Sequence, residues 1–168
     1  YAARKELGGG VLLTNIHEID YLYWFFGKTR KVSAMSGKIS NLVLNVEDYA
    51  LIHLDFFNKM VADIYLDFFQ ISKSRKLKIV GAKGILTCDL TNNKVMLYTT
   101  KKPKWIVVSK PIFDLNKMYV DELNHFIQCL QNHETTKNPI TTGAEVLKTV
   151  FLIKKSVREK RMINYNEL

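Results

Sequence analysis

The chain has 168 residues, 47% hydrophobic and 24% charged, with a net charge of +9; that is enough for one domain with a real core and is an ordinary soluble composition. No apolar run reaches the roughly 18 residues of a membrane span, and no stretch has signal-peptide layout. The excess charge is nearly all scattered lysine with no nucleic-acid motif, so nucleic acid is not expected as a partner, and Cys88 and Cys129 have no CxxC spacing, so they read as reduced thiols of a cytoplasmic protein rather than as a disulfide or metal framework.

The chain opens YAARKELGGG, without a domain start before it, as expected of a piece of a longer protein. The run Gly8-Gly9-Gly10 leads into a helix expected over residues 10–26 and ended by Gly27. On that helix His17, Asp20, Tyr21 and Trp24 share one face, and Leu12, Ile16, Ile19, Tyr23 and Phe26 another. A histidine beside a carboxylate on a helix that follows glycines could serve as a general acid/base with an orienting partner, or be a structural histidine bonded to a backbone carbonyl.

An extended segment is expected at 30–40. Strand alternation follows at 47–57, with Ala50, Ile52, Leu54 and Phe56 to one side, and again at 60–70, the two joined by a turn at Asn58-Lys59. Further strands are expected at 76–80, 85–90, 94–99 and 105–109. The hairpins imply a mostly antiparallel sheet with one apolar face under helices. The other face mixes His53, Tyr65, Asp67, Lys76 and Lys78 with aromatics, as a solvated side, a substrate surface or a subunit interface would. A helix over 117–132 carries Val120, Leu123, Phe126, Ile127 and Leu130 at helical spacing. Thr142-Gly143-Ala144-Glu145 fits a capping box before a last helix, and a short strand is expected at 162–165. The fold class is therefore α+β: an open, mostly antiparallel sheet with helices packed on one face.

The segment GGGVLLTNIHEIDYLYWFFG resembles the opening of the C-terminal domain of the Gfo/Idh/MocA oxidoreductases, the glucose–fructose oxidoreductase and inositol dehydrogenase superfamily. Within it, HEIDYLYW and the preceding ARKELGGG are closest to a branch found in bacterial surface-sugar pathways. VEDYALIHLDF, ADIYLDFFQ, RKLKIVGAKGILTCDL and YVDELNHFIQCL resemble later parts of that domain in the same order. The resemblance implies that residues 1–168 are a single substrate-binding and oligomerisation domain, and that a Rossmann domain binding NAD or NADP lies outside this chain. Gly8-Gly9-Gly10 does not match GxGxxG and no strand precedes it, so no cofactor is expected on this chain alone.

The resemblance makes His17 the catalytic acid/base of the parent protein, acting on a sugar or nucleotide-sugar. Thr14 stands where related sequences often carry an aspartate. It could bind a substrate hydroxyl, Asp20 could compensate, or the enzyme could be altered or inactive. Tyr21 shares the His17 face and is a candidate pocket residue. Arg4, Lys5, Gln70 and Arg75 are candidates to reach a sugar or phosphate, with a solvated surface as the plain reading of the first two. A homo-oligomer formed through the open sheet face is the expected assembly. The reading from a different class is a non-catalytic assembly or binding module with a vestigial site.

Overall fold

A computed structural model describes residues 1–112 and 114–168. In chain order the elements are a 3₁₀ turn Lys5–Leu7, α1 (Val11–Thr14), α2 (His17–Phe26), β1 (Thr29–Gly37), β2 (Tyr49–Phe56), β3 (Val61–Asp67), β4 (Lys76–Gly81), β5 (Gly84–Asp89), β6 (Lys94–Thr99), β7 (Trp105–Ser109), α3 (Leu115–Asn132), α4 (Ile140–Glu159), β8 (Ile163–Asn164) and a 3₁₀ turn Tyr165–Glu167. The class is α+β with antiparallel pairing throughout, as expected. The strands, however, form two four-stranded sheets, β3-β2-β1-β8 and β4-β5-β6-β7, rather than one. They belong to two compact units, Tyr1–Phe69 with Lys137–Leu168, and Gln70–Thr136. The first sheet's last hairpin strand is ended locally. The Asp67 carboxylate accepts the Phe69 amide at 3.1 Å, a side-chain turn that competes with further ladder pairing.

In the first unit the alternation of β2 is realised in full. Ala50, Ile52, Leu54 and Phe56 are buried, while Leu51, His53 and Asp55 face the other way. The buried face is covered by α4, whose Val146, Thr149, Val150, Ile153 and Ser156 form a helical stripe. Ser156 joins helix to strand. Its hydroxyl accepts the Ala34 amide of β1 at 3.0 Å and donates to the Arg161 carbonyl at 2.6 Å. The capping box expected at Thr142 is not formed. The helix starts at Ile140 after Pro139, whose fixed φ suits a helix start, and the Glu145 carboxylate instead meets Lys28 at 2.9 Å and the Tyr165 hydroxyl at 2.6 Å. After α4 the chain is clasped by charge. Arg161 reaches Glu167 and Glu159 at 2.6 Å each, and the Glu167 carboxylate also accepts the Asn164 amide at 2.8 Å.

The glycines of the first unit are set by close packing. A Cβ on Gly9 would lie 2.4 Å from the Ala2 carbonyl oxygen, 2.6 Å from that of Tyr1 and 2.7 Å from that of Arg4. One on Gly10, at φ +107°, would lie 2.3 Å from a carboxylate oxygen of Glu47. Gly8 has open space and needs only its left-handed φ of +74°. The helix expected over 10–26 is interrupted at Asn15, which closes α1 at φ −103°, ψ 30° before α2 begins. Asparagine is a poor helix former because its side chain competes for backbone groups.

In the second unit, β4 to β7 pair as a meander. The Asp114 carboxylate caps α3 by accepting the amides of Asn116 at 2.9 Å and Lys117 at 3.3 Å, so the helix starts two residues earlier than expected. Its stripe of Val120, Leu123, Phe126, Ile127 and Leu130 is exposed. Cys129 is buried, 3.7 Å from the His125 ring.

Gly9→Ala should destabilise the chain by about 3 kcal/mol, because the clash is with backbone carbonyls. Gly8→Ala should cost only about 1 kcal/mol of left-handed strain; urea unfolding of the two variants checks the order. The Arg161 guanidinium and the Asn164 groups hold the Glu167 carboxyl at about 2, below its ordinary 4.5. The clasp's contribution is therefore complete above about pH 4.5 and is lost as pH falls towards 2. Wild type should unfold at higher urea than Glu167→Gln at pH 6, and the two midpoints should converge through that acid window.

Candidate functional site at the start of the second helix

Two adjacent acids, Glu47 and Asp48, hold the entry to this region. Asp48 is fully buried and accepts the amides of Ile39 at 2.9 Å and Ser40 at 3.0 Å together with the Ser40 hydroxyl. Burial pushes its carboxyl up, but the bonds from Ser40 and Ile39 and the charge of Lys38 outweigh that and hold it below the ordinary value. The loop between β1 and β2 is thereby tied to the sheet. Glu47 carries the tie to α1: its carbonyl accepts the Val11 amide at 3.0 Å, and its carboxylate accepts that of Leu12 at 3.4 Å. A carboxylate at the first turn satisfies free helix amides and suits the positive end of the helix. The place where a glycine turn entering a helix would bind a phosphate is thus filled by the chain's own acid. Neither acid stood out in the sequence; the only signal was their position at the head of the β2 strand pattern.

From this anchored start the chain presents Thr14, His17 and Tyr21 on successive turns. His17 is the first residue of α2 and is exposed; among the described residues no group hydrogen-bonds its ring. Thr14 lies one turn before it, and its hydroxyl oxygen is buried without a hydrogen-bond partner among the described residues. Tyr21 is half-buried and its hydroxyl donates to the Glu18 carboxylate. Asp20 is half-buried on the same helix. Arg4 and Lys5 are exposed at the 3₁₀ turn leading into the glycines, where the Lys5 amide donates to Asn45 at 2.8 Å. Gln70 and Arg75 belong to the second unit. Both are exposed there, with the Gln70 amide on the Ser72 carbonyl at 2.6 Å. A groove of about 300 Å³ lined by Ala2, Ala3, Leu42, Val43, Leu44 and Phe68 contains none of these residues. Among the described residues no group of three or more His, Cys, Asp or Glu side chains could hold a metal ion, and no helix is long and apolar enough to cross a membrane.

The family model described as the oxidoreductase family, C-terminal alpha/beta domain, matches residues 2–165. No curated protein matches the chain in sequence. Among solved structures, it is similar to an oxidoreductase from Agrobacterium radiobacter in complex with NAD+, L-tartaric acid and magnesium (14% identity, TM-score 0.82, 99% of this chain and 52% of that one). It is also similar to UDP-N-acetylglucosamine 3-dehydrogenase from Acidithiobacillus ferrooxidans (18%, TM-score 0.76, 89% and 47%). A third is the aldose-aldose oxidoreductase from Caulobacter crescentus complexed with glycerol (18%, TM-score 0.78, 94% and 48%). At these identities the likeness is one of fold, and the chain spans about half the length of the proteins it matches. The chain belongs to the Gfo/Idh/MocA oxidoreductase family and is its C-terminal α/β domain.

Proposed function

We propose that this chain is the substrate and oligomerisation domain of an NAD(P)-dependent oxidoreductase acting on a sugar or nucleotide-sugar, with His17 as the acid/base. The observation that carries the reading is His17 itself. It is the exposed first residue of α2, with its ring unengaged among the described residues, one turn beyond a buried hydroxyl that lacks a partner. Two of the similar proteins are named for chemistry on aldose or on a UDP-sugar, which supports the substrate class.

The glycine turn of this chain does not fit a dinucleotide. Glu47 occupies the anion position at α1, and Gly9 is walled in by carbonyl oxygens. What the chain supplies is the proton side of the reaction. His17 takes the proton of the substrate hydroxyl as the carbon that bears it is oxidised, and returns it in the reverse direction, a task suited to an imidazole, whose ring nitrogens can accept and donate a proton. Thr14 is the candidate to bond a neighbouring sugar hydroxyl; its oxygen is enclosed by the chain's own atoms, so a rotamer change or local shift has to expose it for that bond to form. The row Met35, Leu51 and Tyr65, aligned across β1, β2 and β3 and exposed on the outer face of the first sheet, supports pairing of copies through that face.

The alternative, an assembly module with a vestigial site, is favoured by one observation: Thr14 supplies no carboxylate where the family pattern often has one. A full-length protein that binds NAD(H) or NADP(H) tightly yet turns over no sugar or nucleotide-sugar would establish it.

In the full-length protein His17→Ala should lower kcat/KM by about 100- to 10,000-fold, the usual worth of a positioned acid/base, with cofactor affinity unchanged. Steady-state kinetics on a nucleotide-sugar panel, with a separate cofactor titration, measures both. Thr14→Val should raise KM by about tenfold, one hydrogen bond's worth, and leave the protein as stable or more so because an unpaired buried hydroxyl is removed. A thermal unfolding scan beside the kinetics reads the two effects independently.

A further inference from the structure

The second unit gathers the chain's positive charge. Between Lys73 and Lys110 stand ten lysine or arginine residues and one acid, Asp89. Asp89 is engaged: its carboxylate accepts the amides of Thr91 at 3.0 Å and Asn92 at 3.1 Å and the Asn92 side-chain amide at 2.8 Å, which fixes the turn into β6. The register of β4–β7 sorts the rest onto two faces. Leu77, Ile79, Leu86 and Leu97 lie on one. On the other, Val80, Ile85, Tyr98 and Trp105 form a row across all four strands. Lys78 and Thr87 stand in the next row, and Lys76, Asp89 and Lys94 in the third. This second face is open at β4, where Lys76, Lys78 and Val80 are exposed while Leu77 and Ile79 are half-buried. At the far edge Trp105 is 45% exposed, with its ring 5.6 Å from that of Tyr98. Among the described residues neither Lys78 nor Lys94 is in an ion pair.

We propose that this face of the second sheet is a nucleotide site, with the base on Tyr98 and Trp105 and the phosphates between Lys78 and Lys94. A second copy is a poor occupant. Packed about 10 Å away by a two-fold axis, it would set Lys76, Lys78 and Lys94 against the same three residues. The face asks instead for a ligand with an aromatic plane at one end and negative charge at the other. By strand geometry Lys78 and Lys94 are rooted about 12–14 Å from Tyr98. A nucleoside diphosphate bridges that span once the lysine side chains reach inward. Val80 and Ile85, which complete the aromatic row, offer a base edge no hydrogen bond, so stacking here is tolerant of the base. The lysines hold phosphate as point charges, which makes the site sensitive to salt. The proposal stands apart from the reading of His17, since it uses none of the same residues.

The test titrates the full-length protein, its cofactor site saturated with NAD(P), with UDP, pyrophosphate and uridine. Irradiation with 5-iodo-UDP and peptide mapping is expected to place adducts on Trp105 or Tyr98. Adducts confined to residues around His17 would assign the UDP to the substrate site and overturn the proposal, leaving the acid/base role to be judged by turnover in His17→Ala. Trp105→Ala should weaken UDP binding at this face about tenfold and leave pyrophosphate binding unchanged. Trp105→Phe, which keeps a ring, should restore most of that affinity. Lys78→Gln with Lys94→Gln, both on the sheet surface, should weaken UDP and pyrophosphate alike and flatten the salt dependence. Equal affinity for UDP and pyrophosphate, unmoved by Trp105→Ala, would show a merely charged surface. Binding to phosphatidylserine vesicles with no binding of UDP would assign the face to a membrane. Either result overturns the proposal. An oligouridine that suppresses the adducts names a nucleic-acid strand as the source of the nucleotide, and failure to suppress them names the free nucleotide.

Discussion

The contact of Glu47 with the first turn of α1 is the constraint on which the candidate site depends. It needs Gly10 to have no side chain, since a Cβ there would fall on the carboxylate. It needs Asp48, the next residue, to be locked into the loop between β1 and β2. Through these two acids the start of α1 is fixed to the head of β2, an inner strand of a sheet of which one face packs the core of the first unit. His17 inherits that placement, because α2 follows α1 after a single interruption at Asn15. A proton-transferring group has to be held to within a fraction of an ångström or so of its working position, and rigid supporting elements are how proteins achieve that.

The same contact gives the glycine run a structural role. Gly8-Gly9-Gly10 looks from its composition like a cradle for a phosphate. In the folded chain Gly9 is the point where the first four residues cross back over the turn, and Gly10 is where Glu47 enters. On the proposed reading the domain described here carries the side chains that face a substrate, while its own anion position is closed by an internal carboxylate. Thr14 fits this division. A buried hydroxyl without a partner is a cost in a domain considered alone, and such costs gather where a ligand or another domain completes the bonding.

Much of this was legible in the chain. Ala50, Ile52, Leu54 and Phe56 alternate because the first sheet is covered on one face only, and period-two burial is the plainest signal a sequence carries. The position of Gly27 was equally plain. The stripe on α4 was not: Leu147, Val150 and Phe151 stand at helical spacing, yet of these only Val150 is buried, and the covered face carries Val146, Thr149, Ile153 and Ser156 instead. The helix start at Ile140 was not, because Thr142 and Glu145 mimic a capping box while Pro139 sets the start and Glu145 turns to Lys28 and Tyr165. The first sheet's hairpin ends at a side-chain turn at Asp67, and the strands that follow pair in a second sheet, which strand alternation does not report. The role of Glu47 joins residues 35 apart in sequence, and no local pattern encodes such a pairing. His17 and Trp24 were legible as sharing a helix face; that the aromatic end of that face stays bare within this chain became visible only with the fold.

The most direct test is a crystal structure of the full-length protein with NAD(P) and a turned-over sugar or nucleotide-sugar bound. The expected result is a His17 ring nitrogen within about 2.6–3.2 Å of the hydroxyl on the carbon that faces the nicotinamide, with the Thr14 hydroxyl bonded to the same sugar. A His17 ring turned to solvent or bonded to backbone, with another side chain on that hydroxyl, would contradict it.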